Sequence, residues 1–439
     1  MTTGLERVAA KAREETGLVF TSLAHHVNRD LIKESLWHIP MNSAKGTDGM
    51  DVDTARETFD QWIEGMEASI HRQSYHAPAV RRVWIPKPGK DEKRPIGVPD
   101  VADRALQRSV ATVLNAIYEQ DFLNCSFGGR PGRGAHNALA TIDKIIGGRK
   151  TSWVLEADLK NFFGSLDHGW LLRFVEHRVG DPRILSLIRK WLKAGVMEDG
   201  VYEESETGTP QGGPISVLLS NLYLHYVLDL WFEKAIKPRL DGEGYLVRYM
   251  DDFIVCFQYR RDAKRFVDML EKRLAKFSLT LEPNKTRLIE FGRFAEQNAK
   301  AKGKKPDTLY FLGFTHYCTT SRNGRFVVGR KTEKNRLRRS LNNLQKRIRE
   351  AMHLKVGEQI DRINRTLRGH YNYYGMGGNY QSVAKVYYLA ALYLKRVLSR
   401  RSRKGKVSWE LFDKIRAKYP ILRPSLKIPY TEFWRYAML

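Results

Sequence analysis

Two adjacent acids sit in the middle of Tyr245-Leu-Val-Arg-Tyr-Met-Asp-Asp-Phe-Ile-Val-Cys-Phe257. The apolar runs on either side read as two strands of a tight hairpin, with Asp251 and Asp252 at its tip. Adjacent ionised carboxylates repel, so an ordinary acidic turn gains little from having two. A divalent cation removes the repulsion. Mg²⁺ suits the position because it takes carboxylate oxygens and keeps waters that substrate phosphates displace. A third acid, Asp158, stands 93 residues earlier, near the end of the strand-like Trp153-Val-Leu-Glu-Ala-Asp-Leu159. If neighbouring strands bring Asp158 beside Asp251, three carboxylates hold two metals about 3.5–4 Å apart. One metal then activates an attacking 3′-hydroxyl and the other steadies a leaving pyrophosphate.

Between these acids lies Gly208-Thr-Pro-Gln-Gly-Gly-Pro-Ile215. Its paired glycines let backbone approach a ligand closely, and Gln211 offers both a donor and an acceptor. Arg81, Arg82, Lys87 and Arg94 punctuate the preceding strands, cations suited to a triphosphate and to template phosphates.

The elements that must position these residues are legible in outline. Residues 1 to about 75 read as helical, with breaks near Pro40 and Gly46 and an ordered loop at Ser43-Ala-Lys-Gly-Thr-Asp-Gly49. A strand is predicted over Ala79–Ile85, a second after Arg94, and a helix from about Ala102 to Tyr118. Helix, strand and loop alternate to about Arg330, giving one mixed α/β body. Beyond it the period becomes helical. Leu337, Leu341, Leu344 and Ile348 form one stripe. Ile360, Ile363, Leu367, Tyr371 and Tyr374 form a second, and Val386, Leu389, Tyr393 and Val397 a third. These aromatic stripes are expected to be core.

The 439 residues carry 75 Lys+Arg against 49 Asp+Glu, a net charge of +26, with 42% hydrophobic and 11% aromatic side chains. That excludes a mainly disordered or collagen-like chain. The charge is concentrated: Lys331–Leu439 holds 26 basic and 7 acidic side chains, a net +19. Phosphate backbones are the expected partner of such a surface. No apolar run approaches the roughly 20 residues of a membrane span, so no membrane partner is expected. Cys125, Cys256 and Cys318 form no paired motif, which argues against disulfides and a cysteine-based zinc site. A cytoplasmic setting in a bacterial cell, in association with nucleic acid, is the expectation.

In order along nearly the whole chain, the sequence resembles the reverse transcriptases encoded by bacterial group II introns and their close relatives. The resemblance rests on Arg81-Arg-Val-Trp-Ile-Pro-Lys87, Arg94-Pro-Ile-Gly-Val-Pro99 and Asp103-Arg104. It continues with Ser126-Phe-Gly-Gly-Arg-Pro-Gly-Arg133, Asp158-Leu-Lys-Asn-Phe-Phe163, Gly208-Thr-Pro-Gln-Gly-Gly213 and Tyr249-Met-Asp-Asp252. Leu281-Glu-Pro-Asn-Lys-Thr286, Phe311-Leu-Gly-Phe314, Leu367-Arg-Gly-His-Tyr-Asn-Tyr-Tyr-Gly375, Leu398-Ser-Arg-Arg-Ser402 and Ser408-Trp409 complete it.

The resemblance implies an α/β right-hand polymerase, with fingers and an antiparallel palm sheet followed by an α-helical thumb. Its implied divisions are an N-terminal extension with a template-covering loop (1–75, the loop at Ser43–Asp51), fingers and palm (76–330), a helical thumb or maturase region (331–400) and a short basic extension (401–439). It implies Asp158, Asp251 and Asp252 as catalytic metal ligands, with the Leu159 carbonyl as a fourth oxygen, for two Mg²⁺ ions that Mn²⁺ can replace. Lys87, Arg94, Phe163, Gln211 and Lys285 become the dNTP site. Phe163 stacks on the deoxyribose and excludes a 2′-hydroxyl, and Lys285 protonates the departing pyrophosphate. Arg81, Arg82, Arg130, Arg133, Arg336, Arg338 and Arg339 become nucleic-acid contacts. The implied partners are an RNA template, a DNA or RNA primer, dNTPs and structured group II intron RNA.

The sequence also departs from the family. Met250 stands where mobile-intron enzymes usually carry Ala, and is expected against the primer end, altering strand displacement, fidelity or end use. Gly129 replaces a usual aromatic, Gly164 a usual Asp and Val217 a usual Pro. No HNH nuclease and no RNase H carboxylate set is expected. Two other roles stay open beside polymerase activity in intron mobility: a splicing factor that mainly grips intron RNA, and an intron-free relative acting in DNA repair or phage defence.

Overall fold

The computed structural model describes residues 3–86, 89, 91–198, 200–204, 207–209, 212–401 and 406–439. The chain divides into two compact units. The first comprises Met1–Gly134, Ala157–Val255 and Arg261–Arg287, and the second Ala135–Glu156, Cys256–Arg260 and Leu288–Leu439.

The first unit opens with four helices, Thr3–Glu14, Arg29–Trp37, Val52–Glu57 and Phe59–His71. Asn28 and Asp51 cap the second and third, each side chain accepting from the backbone N–H three residues on. The Val-Arg-Arg-Val-Trp-Ile run forms the strand Val80–Pro86, and Pro86, which lacks an N–H to donate, is its last residue. It pairs antiparallel with Lys93–Val98, from Arg81 opposite Val98 to Pro86 opposite Lys93. It also pairs in parallel with Val196–Glu198, and Val201–Glu203 closes the sheet. Val101–Asp121, the predicted long helix, runs through the core with Val110, Val113, Leu114 and Ile117 fully buried.

Pro214–Arg239 is one 26-residue helical run, including π-helical turns at His225–Asp229 and Phe232–Ile236. Length and composition alone would let it cross a membrane, contrary to the reading that no run was long enough. With 78% of its apolar window buried inside the protein, it behaves as a core helix.

The acid-bearing strands lie in a four-stranded sheet ordered Gly244–Tyr249, Asp252–Phe257, Trp153–Asp158, Arg287–Glu290. The second and third are therefore neighbours, the arrangement that brings Asp158 to the side of the acidic turn. Phe253 through Phe257 are all buried, which explains why this strand reads as a continuous apolar run rather than an alternating one.

The second unit holds an antiparallel sheet ordered Phe326–Thr332, Phe314–Thr320, Thr308–Phe311. The three predicted helices follow as Lys334–Glu350, Val356–Tyr374 and Tyr380–Ser399. Ile360, Ile363, Leu367 and Tyr371 are buried as expected. On the third helix the stripe is rotated. Val383, Val386, Ala390, Leu394 and Leu398 face the core, while Tyr393 and Val397 are half-buried at its margin and Leu389 is half-buried. Ala390 and Ala391 let the neighbouring helix approach, so the small residues rather than the aromatic ring take the centre. The tail expected only to be basic also folds: Trp409–Lys418 is a helix whose Phe412, with Ile421, completes this core.

Candidate active site

The acidic turn is a two-residue hairpin connection. Met250 has φ +58°, in the left-handed region, Asp251 follows it, and Asp252 is the first residue of the next strand. Such a turn matches the twist of the flanking strands, although a non-glycine residue there carries backbone strain. A buried arginine supports it. The Arg248 side chain, in the strand before the turn, and its partner Asp229 are both 0% exposed. The guanidinium binds Asp229 through two bonds of 2.8 and 2.6 Å and donates to Asn221 Oδ1 at 3.0 Å, the Met250 carbonyl at 3.1 Å and Ser126 Oγ at 2.8 Å. Burial works against the Arg248 charge, but the adjoining Asp229 carboxylate outweighs it and raises the pKa. The sequence reading missed this group. Its signals were a lone arginine inside the apolar Tyr-Leu-Val-Arg-Tyr strand and a lone aspartate inside the apolar helix at 229.

Asp158 ends the neighbouring strand. Its carbonyl accepts from the Glu282 N–H at 2.8 Å, and the Lys160 N–H donates to the Thr280 carbonyl at 2.9 Å. Leu159 thus pairs with Leu281 while its own carbonyl stays out of that pairing. Burial, and then the nearby charge of Asp158, raises the Asp251 pKa, while Lys285 and Arg94 oppose the rise. The structure therefore brings Asp158, Asp251, Arg94 and Lys285 into one electrostatic neighbourhood. The Lys285 ammonium donates to the Asp158 carboxylate. Burial depresses the Lys285 pKa, but that bond and the charges of Asp158, Asp252 and Asp251 raise it overall.

Among the described residues no three His, Cys, Asp or Glu side chains close into a cluster that could hold a metal ion. The donor chemistry nonetheless fits a hard divalent cation. Asp251 is held beside Asp158 at an electrostatic cost that such a cation relieves, and every donor is an oxygen.

The sequence after Asp158 turns sharply at Asn161, φ +46°, into the short helix Phe162–Gly164. Phe162 is buried, whereas Phe163 is half-buried and meets it edge-to-face at 5.4 Å. Gly212, φ +139°, lies so close to the strand bearing Arg94 that a Cβ would stand 2.4 Å from the Gly97 carbonyl oxygen. Only glycine fits there, and Gly212 is thereby laid against the strand. Lys87 and Gln211 lie outside the described residues.

The basic side chains differ in availability. Arg81 donates to the Lys45 carbonyl at 2.7 Å, and Arg82 pairs with Glu198 and Glu203, both at 2.9 Å. Arg130 is buried, bound to Glu119 at 2.9 Å and stacked over Phe122, so its charge serves the fold rather than an external phosphate. Arg133 is half-buried and donates to Asn124 Oδ1 at 2.8 Å. The loop at 43–51 is anchored by the Asp100 carboxylate, which accepts from the Thr47 N–H at 2.6 Å and the Asp48 N–H at 3.2 Å. In the second unit Arg336 and Arg338 are exposed and Arg339 is half-buried on Lys334–Glu350.

A family model described as reverse transcriptase (RNA-dependent DNA polymerase) matches residues 85–316. The chain is similar to the group II intron-encoded protein LtrA of Lactococcus lactis subsp. cremoris, with 31% identity over 318 residues, 69% of this chain and 52% of that protein. It is 36% identical over 191 residues to protein YkfC of Escherichia coli (strain K12), covering 42% of this chain and 50% of the relative. It is also 24% identical over 202 residues to the mitochondrial nuclear intron maturase 3 of Arabidopsis thaliana, covering 40% and 28%. The chain spans about half the length of the first two relatives.

Proposed function

This chain belongs to the reverse transcriptase (RNA-dependent DNA polymerase) family, whose fold is the right-hand polymerase, and on that premise we propose that it copies RNA into DNA in the manner of group II intron enzymes, with a maturase role in binding intron RNA. The observation that carries this reading is Asp158 on the strand beside Asp251 and Asp252, where repulsion between acids calls for a cation. Asp158, Asp251, Asp252 and the Leu159 carbonyl would hold two divalent cations, Mg²⁺ by preference, which supply Lewis-acid charge at the primer 3′-hydroxyl and the leaving pyrophosphate. Residues 76–330 correspond to fingers and palm in this reading, 331–400 to the thumb, and the loop at 43–51 to a cover for the template.

The remaining residues bind, orient and move a proton. Arg94, with Lys87, neutralises the triphosphate. Gln211 adjoins the nucleotide's sugar and base. The primer 3′-hydroxyl gives up its proton to solvent as its oxygen bonds to the α-phosphorus and the bond to pyrophosphate breaks. Lys285 holds a proton on Nζ while paired with Asp158, and by leaving that carboxylate it delivers the proton to pyrophosphate. RNA-templated primer extension with dNTPs and Mg²⁺, abolished by a chelator, tests the proposal. RNA binding without any extension would overturn it and leave the splicing-factor role.

Two expected outcomes arise from this assignment. Phe163→Val opens space beside the sugar, so the ratio of rNTP to dNTP incorporation rises on the order of 10- to 100-fold. An unchanged ratio in a competition assay returns Phe163 to a packing role with Phe162. The second concerns salt. Each duplex phosphate neutralised contributes about −0.9 to the slope of log K against log salt. Neutralising Arg336, Arg338 and Arg339 together should reduce that slope by up to about 2.7 and shorten processive products. A retained slope would remove this helix from the nucleic-acid surface.

A further inference from the structure

The residue ahead of the two acids is seated with almost no clearance. The segment Ser126–Gly129 is fastened to the acid hairpin, where the Phe127 N–H donates to the Arg248 carbonyl at 2.9 Å and the Arg248 N–H to the Cys125 carbonyl at 2.7 Å, and to the helix at Pro214–Leu224, where Asn221 Nδ2 donates to the Gly128 carbonyl at 2.8 Å. The Met250 side chain lies against this segment. A Cβ on Gly128 would stand 2.6 Å from Met250 N and 2.7 Å from its Cγ. One on Gly129, φ +71°, would stand 2.4 Å from Val217 Cγ1, 3.1 Å from Met250 Sδ and 3.2 Å from Asn221 Nδ2. Val217 is β-branched and has little rotamer freedom with which to withdraw.

Resting on the polymerase reading above, we propose that Met250 is a positioning residue for Asp251 and Asp252, and that Gly128, Gly129 and Val217 form the seat that fixes its side chain. Met250 touches no reacting atom in this role. It adjoins the acids in sequence, its left-handed backbone aims them, and the contact of its side chain with the seat holds that backbone in place. Arg248 holds the same turn through the Met250 carbonyl. An unbranched thioether suits a narrow, irregular space of this kind.

The test measures kcat and KM for dNTP on saturating RNA template–primer, together with the thermal midpoint, for the parent chain and five variants. Met250→Ala empties the seat and should lower kcat about tenfold, with KM and primer–template affinity within about twofold, because displacements on the order of 1 Å at a reacting centre cost up to 100-fold. Met250→Leu, of similar volume, should stay within about threefold of the parent. Gly129→Ala, strained at φ +71° as well as crowded, should lower kcat about tenfold, and Gly129→Ala/Val217→Ala should recover part of it by removing the atom at 2.4 Å. Gly128→Ala should lower kcat as well, since the atom it meets is backbone. A Met250→Ala variant with parental kcat would overturn the proposal. So would kcat losses that merely follow the thermal midpoint, or a Gly129→Ala defect that Val217→Ala leaves untouched. A parent chain that extends no RNA-templated primer would instead overturn the polymerase reading, which separates the two failures.

Discussion

Replacing Asp251 or Asp252 by alanine is expected to abolish RNA-templated primer extension while leaving RNA binding within about twofold of the parent. Lewis-acid charge stabilisation at a phosphoryl-transfer centre amounts to several kcal/mol. At 1.36 kcal/mol per tenfold, the expected loss is roughly 1,000-fold or more. RNA binding survives because the basic side chains proposed to meet phosphate are untouched. Asp158→Ala should behave alike, although it also removes the carboxylate to which Lys285 donates. Single-turnover extension on a labelled primer measures the effect. Extension within tenfold of the parent would remove these aspartates from the catalytic centre.

The second large effect is expected at Arg248, a residue with no exposed atoms to offer a substrate. Arg248→Met leaves Asp229 buried without its ionic partner, which costs about 3–5 kcal/mol. It also releases the bonds to the Met250 carbonyl and Ser126 Oγ. Denaturant unfolding should therefore show a large loss of stability, and extension should fall with it. Arg248→Met/Asp229→Leu separates the two consequences. Removing both charges should restore most of the stability, since an apolar pair of similar volume replaces a desolvated ion pair at little cost. Extension should remain low, because the guanidinium's bonds to the Met250 carbonyl and Ser126 Oγ are then gone. An Arg248→Met chain within 1 kcal/mol of the parent would show that Asp229 finds another partner. Full activity in the double variant would show that the turn keeps its shape without the guanidinium.

Local pattern alone determined the strand–turn–strand around Asp251 and Asp252, the strand ending at Asp158, and the periods of the helices after Arg330. These follow from side-chain alternation and helical repeat, which depend on near neighbours in sequence. The repulsion between the two adjacent acids was legible too, because it is a property of the residues themselves. The tertiary structure decided which distant groups meet. Arg248 reaches Asp229, Asn221 and Ser126, respectively 19, 27 and 122 residues away. Periodicity marks a buried charge as unusual but does not say what satisfies it. Arg130 read as a phosphate contact and lies inside, since a cation's exposure depends on how the chain closes over it. The third helix turned its alanines rather than Tyr393 to the core, because the separation of packed helices selects among apolar faces. Gly129, Val217 and Met250 looked like three unrelated departures in the sequence. Packing makes them one cluster, since a Cβ at Gly129 would meet both Val217 Cγ1 and Met250 Sδ.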